Sequence, residues 1–189
     1  MSWTNPLPEA LQQRAAMIKL VVFDVDGVLT NGTLTYSGDG ELVKHFNVKD
    51  GVGIKLLEKF AIATAIISAK SSDALARRAR DLGIRHFYPG SKDKWPCLEE
   101  VMSQLGITPG QVCYVGDDVI DLKVMTRVGL PMAPADAFWM VQQRAAHVTQ
   151  AAGGCGVARE VADLILGSQM PLEDAYIKAM LPEFEEQKG

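Results

Sequence analysis

Apolar residues recur along the chain in short blocks, separated by longer stretches in which they return every three or four positions. Residues 18–23 form a near-continuous apolar run, the pattern of a parallel strand covered on both faces. Two alternating segments, 33–36 and 41–48, flank Ser37-Gly38-Asp39-Gly40 and predict a β-hairpin. Its apolar residues, including Leu34, Leu42 and Phe46, are many for a solvated hairpin, so the hairpin is expected to pack on something, such as another subunit. After Asp50-Gly51 the pattern predicts a helix over 52–59, then a buried strand over 62–67. A charged amphipathic helix over 72–82 opens on Ser72 and stops at Gly83. A short strand at 86–88, a helix over 92–105 and a strong strand at 112–115 follow. The remainder reads as a helix over 119–128, strands near 130–133 and 147–149 with a helix between them, and helices over 158–166 and 172–180, after a first short helix at 7–17.

This alternation predicts a doubly wound, mostly parallel α/β sheet of Rossmann-like type, with helices on both faces and one small inserted hairpin at about 33–48. The length of 189 residues fits one domain, with a polar, mobile tail at about 183–189. Net charge is −4 without a long basic run, which argues against nucleic acid as a partner. No apolar stretch is long enough for a bilayer, and the N-terminus lacks the basic-then-apolar pattern of a signal peptide. Cys97, Cys113 and Cys155 are odd in number and far apart, as expected of reduced thiols in a cytoplasmic protein. His45, His86 and His147 lack metal-ligand spacing.

Chemistry concentrates at the ends of the predicted strands. Asp24 and Asp26, followed by Gly27, end the first; Ser68 ends the second; Gly116-Asp117-Asp118-x-x-Asp121 follows the strand at 112–115; Lys94 opens a helix. Parallel strands present their C-terminal ends on one edge, so these groups are expected to converge. A carboxylate there can attack phosphorus, and a second, two residues on, can handle the proton.

This set resembles the haloacid dehalogenase superfamily of phosphotransferases. The segments Phe23-Asp-Val-Asp-Gly-Val-Leu-Thr, Phe46-Asn-Val-Lys-Asp-Gly-Val-Gly-Ile, Tyr114-Val-Gly-Asp-Asp and Gly153-Gly-Cys-Gly-Val-Ala-Arg-Glu are similar to those of its capless 3-deoxy-D-manno-octulosonate 8-phosphate phosphatase family. The resemblance implies a Mg²⁺-dependent phosphatase of lipopolysaccharide precursor synthesis, acting on a sugar-acid phosphate, and a homotetramer assembled through the hairpins. It implies Asp24, Asp117 and the backbone carbonyl of Asp26 as metal ligands, Asp24 as nucleophile and Asp26 as acid and then base. Ser68 would donate to a phosphoryl oxygen and Lys94 would supply fixed positive charge, with Asp118 and Asp121 orienting the metal surroundings or Lys94. Dianionic phosphate next to a carboxylate needs such neutralisation, and Mg²⁺ favours hard oxygen ligands.

Lys49, Lys70 and Arg78 match basic positions of the family and are expected near the substrate carboxylate. Two departures bear on the substrate. Gly-Arg after the hydroxyl of the second motif is Ala69-Lys70 here, and a basic residue of the glycine-rich segment is Cys155. A lysine keeps charge but loses the planar fork that suits a carboxylate. A sialic-acid 9-phosphate phosphatase, a broad-specificity phosphatase, a mutase and a non-catalytic binding protein on the same fold are the competing readings. Arg159 and Glu160 are expected either to pair with each other or to face a neighbouring subunit.

Overall fold

The computed structural model describes residues 8–38 and 40–180. The predicted tail at 183–189, Leu7 and the Asp39 turn position lie outside the described residues. The chain runs α1 (Glu9–Ala16), β1 (Leu20–Phe23), β2 (Thr35–Ser37), β3 (Gly40–Val43), α2 (Val48–Lys59), β4 (Ala63–Ile67), α3 (Asp73–Leu82), β5 (His86–Tyr88), α4 (Lys94–Leu105), β6 (Val112–Val115), α5 (Leu122–Met125), β7 (Leu130–Ala133), α6 (Trp139–Gln142), β8 (His147–Val148), α7 (Val157–Gln169) and α8 (Leu172–Met180).

Six strands form one sheet in the order β5-β4-β1-β6-β7-β8, and every pairing in it is parallel. The doubly wound reading holds. Successive side chains of a strand point to opposite faces, and β1 shows the result. Val21 and Phe23 join a core with Ile54 and Leu57 of α2, Leu75 of α3 and Val161 of α7. Leu20 and Val22 join a second core with Leu98 and Val101 of α4, Met125 of α5 and Val141 of α6. All four are buried, which is why the run lacks polar alternation.

Three boundaries differ from expectation. The hairpin strands occupy only Thr35–Ser37 and Gly40–Val43, less than the predicted 33–48. Helix α2 begins at Val48 because the Asn47 side chain caps it, accepting from the Lys49 amide; Asp50-Gly51 is therefore helix rather than turn. The predicted helix at 119–128 is a 3₁₀ turn, Val119–Asp121, leading into the four-residue α5. Among the described residues, no helix is long and apolar enough to cross a membrane.

Candidate active site

Neighbours in the sheet order β4-β1-β6 bring Ser68, Asp24 and Asp117 to one edge, each just past the end of its strand. The Asp24 amide donates to Val115 O at 3.0 Å and the Ser68 amide to Tyr88 O at 3.0 Å, so the sheet fixes both backbones. Lys94, at the start of α4, is 1% exposed. Its Nζ lies 2.9 Å from Asp24 Oδ1 and 2.7 Å from Asp121 Oδ1. A buried cation is tolerated only when paired in this way. Burial works against the charge of Lys94, but Asp24 and Asp121 outweigh it and raise its pKa.

Asp121 is fully committed to this scaffold. Its Oδ1 also accepts from the Tyr114 hydroxyl at 2.6 Å, and its Oδ2 accepts from the amides of Asp117 and Asp118 at 3.1 and 3.4 Å. Tyr114, buried within β6, is a contributor that the apolar strand pattern concealed; the hydroxyl of a strand tyrosine was its only signal. Asp118 is exposed, and its carboxylate caps the 3₁₀ turn by accepting from the Val119 amide at 2.7 Å. The lysine is thus held by Asp24 and Asp121.

Asp24, Asp117 and Asp121 each offer an oxygen within 4.8 Å of the others. Burial, followed by the Asp121 charge, pushes the Asp24 carboxyl up to about 6 against the opposing Lys94. Burial, then Asp24, Asp121 and Asp118, pushes Asp117 up to about 8. Asp117 Oδ1 is buried without a hydrogen-bond partner. Crowded carboxylates with an orphaned oxygen fit a hard divalent cation, which would supply the missing charge and the missing partner. Since the Asp121 oxygens already have donors, Asp24 and Asp117 are the side chains available to it. Gly27 makes the packing possible: its φ is +92°, and a Cβ there would lie 2.0 Å from Asp117 Oδ2.

Asp26 is partly buried and accepts from Lys44 of the hairpin segment. Ser68 is buried, and its Oγ accepts from the Lys70 amide at 3.3 Å. Of the three basic residues matched to substrate binding, Lys70 is exposed beside Ser68. Lys49 lines a cleft of about 300 Å³ with Cys155 and Arg159. Arg78 donates to Asn47 O at 3.2 Å and sits 5.8 Å from the Phe46 ring, tying α3 to the hairpin exit. Arg159 and Glu160 do not pair with each other. Arg159 bonds Asp163 at 3.2 Å and stacks on Tyr176, while Glu160 accepts from the Gln150 and Ala151 amides.

A parallel sheet with this carboxylate and lysine cluster at its C-terminal edge is the arrangement of a haloacid dehalogenase-like hydrolase, and the chain belongs to that family, whose model matches residues 57–161. It is 45% identical over 171 residues to the 3-deoxy-D-manno-octulosonate 8-phosphate phosphatase KdsC of Yersinia pestis, covering 90% of this chain and 91% of the relative. A crystal structure of that phosphatase from Moraxella catarrhalis, in complex with magnesium ion, phosphate ion and a KDO molecule, matches with a TM-score of 0.83 at 35% identity, covering 92% of this chain and 97% of the other. The cobalt-bound form from Haemophilus influenzae matches with a TM-score of 0.84 at 40% identity, over 91% and 99% of the two chains. The resemblance drawn from the motifs is thereby borne out.

Proposed function

We infer that the protein is a Mg²⁺-dependent phosphatase that hydrolyses 3-deoxy-D-manno-octulosonate 8-phosphate to the free sugar acid and phosphate, a step in lipopolysaccharide precursor synthesis. The observation that carries this reading is the Asp24–Lys94–Asp121 ion network beside an orphaned Asp117 oxygen, in a chain so similar to KdsC phosphatases.

Asp24 is the nucleophile: its backbone is fixed by β6, and Lys94 holds one of its oxygens so that the other faces the substrate. As the Asp24–phosphorus bond forms and the ester bond breaks, Asp26 gives a proton to the leaving sugar oxygen. Asp26 then takes a proton from the water that attacks the aspartyl phosphate, releasing phosphate and restoring Asp24. Ser68 donates to a phosphoryl oxygen, and Lys94 offers preorganised positive charge. Asp24, Asp117 and the Asp26 carbonyl would hold Mg²⁺, which would supply charge neutralisation for the phosphate. Lys49, Lys70 and Arg78 are assigned to the substrate carboxylate.

A homotetramer built on the hairpin is part of the same reading. It is supported by Tyr36 at 61% and Val48 at 78% exposure, with Leu34 and Val43 also exposed nearby. The reading also places the enzyme in the cytoplasm as a single domain. The test is Mg²⁺-dependent phosphate release across a panel of the octulosonate 8-phosphate, a sialic-acid 9-phosphate, hexose phosphates and a nucleotide. A large kcat/KM preference for the octulosonate is expected. Preference for another member moves the function elsewhere, and no release from any member refutes the phosphatase.

A further inference from the structure

We propose that Lys44 is a positioning residue for the proton transfer at Asp26, a role that rests on the phosphatase reading above. Strand β2 is exposed along its whole length. The Lys44 side chain, just past β3, is by contrast 2% exposed, and its Nζ lies 2.5 Å from Asp26 Oδ1. A lysine is buried at the foot of a solvated hairpin only when a partner compensates its charge. Lys44 also lines a cleft of about 580 Å³ with Ser71, Ser72, Asp73 and Phe87, in the segment that follows Ser68. One side chain therefore connects the proton-transferring carboxyl to that cleft.

The consequence is geometric. With Oδ1 engaged by Lys44, Oδ2 of Asp26 is the oxygen that exchanges the proton, and the carboxyl is held in one rotamer beside that cleft. In the first half-reaction the Oδ2 proton passes to the leaving oxygen as the ester bond breaks. In the second, Oδ2 receives the proton of the attacking water. Without Lys44 the carboxyl turns freely, and the penalty falls where a proton must be delivered. It falls on a sugar alkoxide, a poor leaving group, far more than on p-nitrophenolate, which departs without protonation. The hairpin, on this account, contributes to the chemistry of its own chain.

The test compares wild type with Lys44→Met in the full-length protein, measuring kcat/KM, which reports the steps up to leaving-group departure. For the octulosonate phosphate a loss of about 100-fold is expected, against roughly threefold or less for p-nitrophenyl phosphate. In an Asp26→Asn background the same Lys44 change is expected to cost almost nothing further, because the two residues act as one unit. Equal losses on both substrates, or no loss, overturn the proposal. So does a sugar-phosphate loss that persists in the Asp26→Asn background, since Lys44 would then contact the sugar directly. If Lys44→Met does not fold, Lys44→Arg carries the same comparison with a smaller expected loss. A wild type inactive on every phosphate overturns the phosphatase reading itself and this role with it, a result distinct from active wild type with an indifferent Lys44.

Discussion

Binding of Mg²⁺ is expected to release protons, in a number the structure sets. Without metal, Asp117 carries a proton up to about pH 8, because it is buried among Asp24, Asp121 and Asp118. A carboxyl with that midpoint is about 0.9 protonated at pH 7 and roughly 0.1 at pH 9. Asp24, at about 6, is about 0.1 protonated at pH 7 and hardly at all at pH 9. A hard cation binds the ionised carboxylates, so close to one proton leaves per Mg²⁺ at pH 7 and about a tenth of that at pH 9. Apparent affinity accordingly rises about tenfold per pH unit toward pH 8 and then levels. Titration calorimetry in buffers of different ionisation heat counts the protons directly. The same shift fixes the sign for folding. The native metal-free state keeps the Asp117 proton up to about pH 8, while the unfolded chain loses it near 3.8. Metal-free stability therefore falls as pH rises through that window. At about 1.4 kcal/mol per pH unit the ceiling is about 6 kcal/mol; the partial exposure of Asp117 brings it to about 2–3 kcal/mol. Saturating Mg²⁺ should abolish the fall. A proton count near zero at pH 7, with pH-independent affinity, would refute the account of mutually repelling carboxylates.

Three further perturbations probe the same site. Lys94→Met leaves Asp24 and Asp121 buried without their cation, so urea unfolding at pH 7 should show a loss of about 3–5 kcal/mol, with turnover lost; an unchanged midpoint contradicts the ion-network reading. Gly27→Ala puts a Cβ 2.0 Å from Asp117 Oδ2 at a φ of +92°, so calorimetry should show Mg²⁺ affinity reduced by at least about tenfold, and unaltered affinity would separate Asp117 from the metal. Cys155→Arg is expected to leave the thermal midpoint alone and to change KM for the sugar acid with kcat unaffected; a large fall in midpoint would mean that residue 155 packs rather than faces substrate.

The sheet was legible because each central strand is buried on both faces and each ends in a polar residue that a core would not tolerate. Asp24, Ser68 and Asp117 announce the edge of the sheet by that break alone. Where the sequence reading failed, a tertiary contact overrode a local signal. Asp50-Gly51 has the composition of a turn, yet Asn47 caps α2 ahead of it, and the glycines of that helix serve packing. At Gly53 a Cβ would lie 2.6 Å from Arg159 Cα, so α2 and α7 meet backbone to backbone. Asp50 is buried inside this contact and accepts from the Ala158 amide at 2.7 Å, capping a helix more than a hundred residues away. The helix expected at 119–128 shortens for a related reason. Asp121 is drawn into the site, where its Oδ2 gathers the amides of Asp117 and Asp118. Lys44 escaped notice because alternation in a hairpin does not say which side chain turns toward a carboxylate in another loop.

The departure at Cys155 can now be separated from the chemistry. The glycine-rich loop is held by its own amides: that of Gly154 donates to Val28 O at 2.9 Å in the loop after β1, and that of Gly153 to the Asp136 carboxylate Oδ1 at 2.8 Å in the loop after β7. Asn47 Nδ2 donates to Gly154 O at 3.2 Å, joining the hairpin exit to the same loop. None of these bonds uses the side chain at 155, which is exposed. A charge missing there leaves Asp24, Asp117 and Lys94 where they are. What it alters is the surface around Lys49 and Arg159, and Arg159 is already paired with Asp163. A change at residue 155 is expected to leave the phosphoryl-transfer site intact, with any effect falling on KM for the sugar acid.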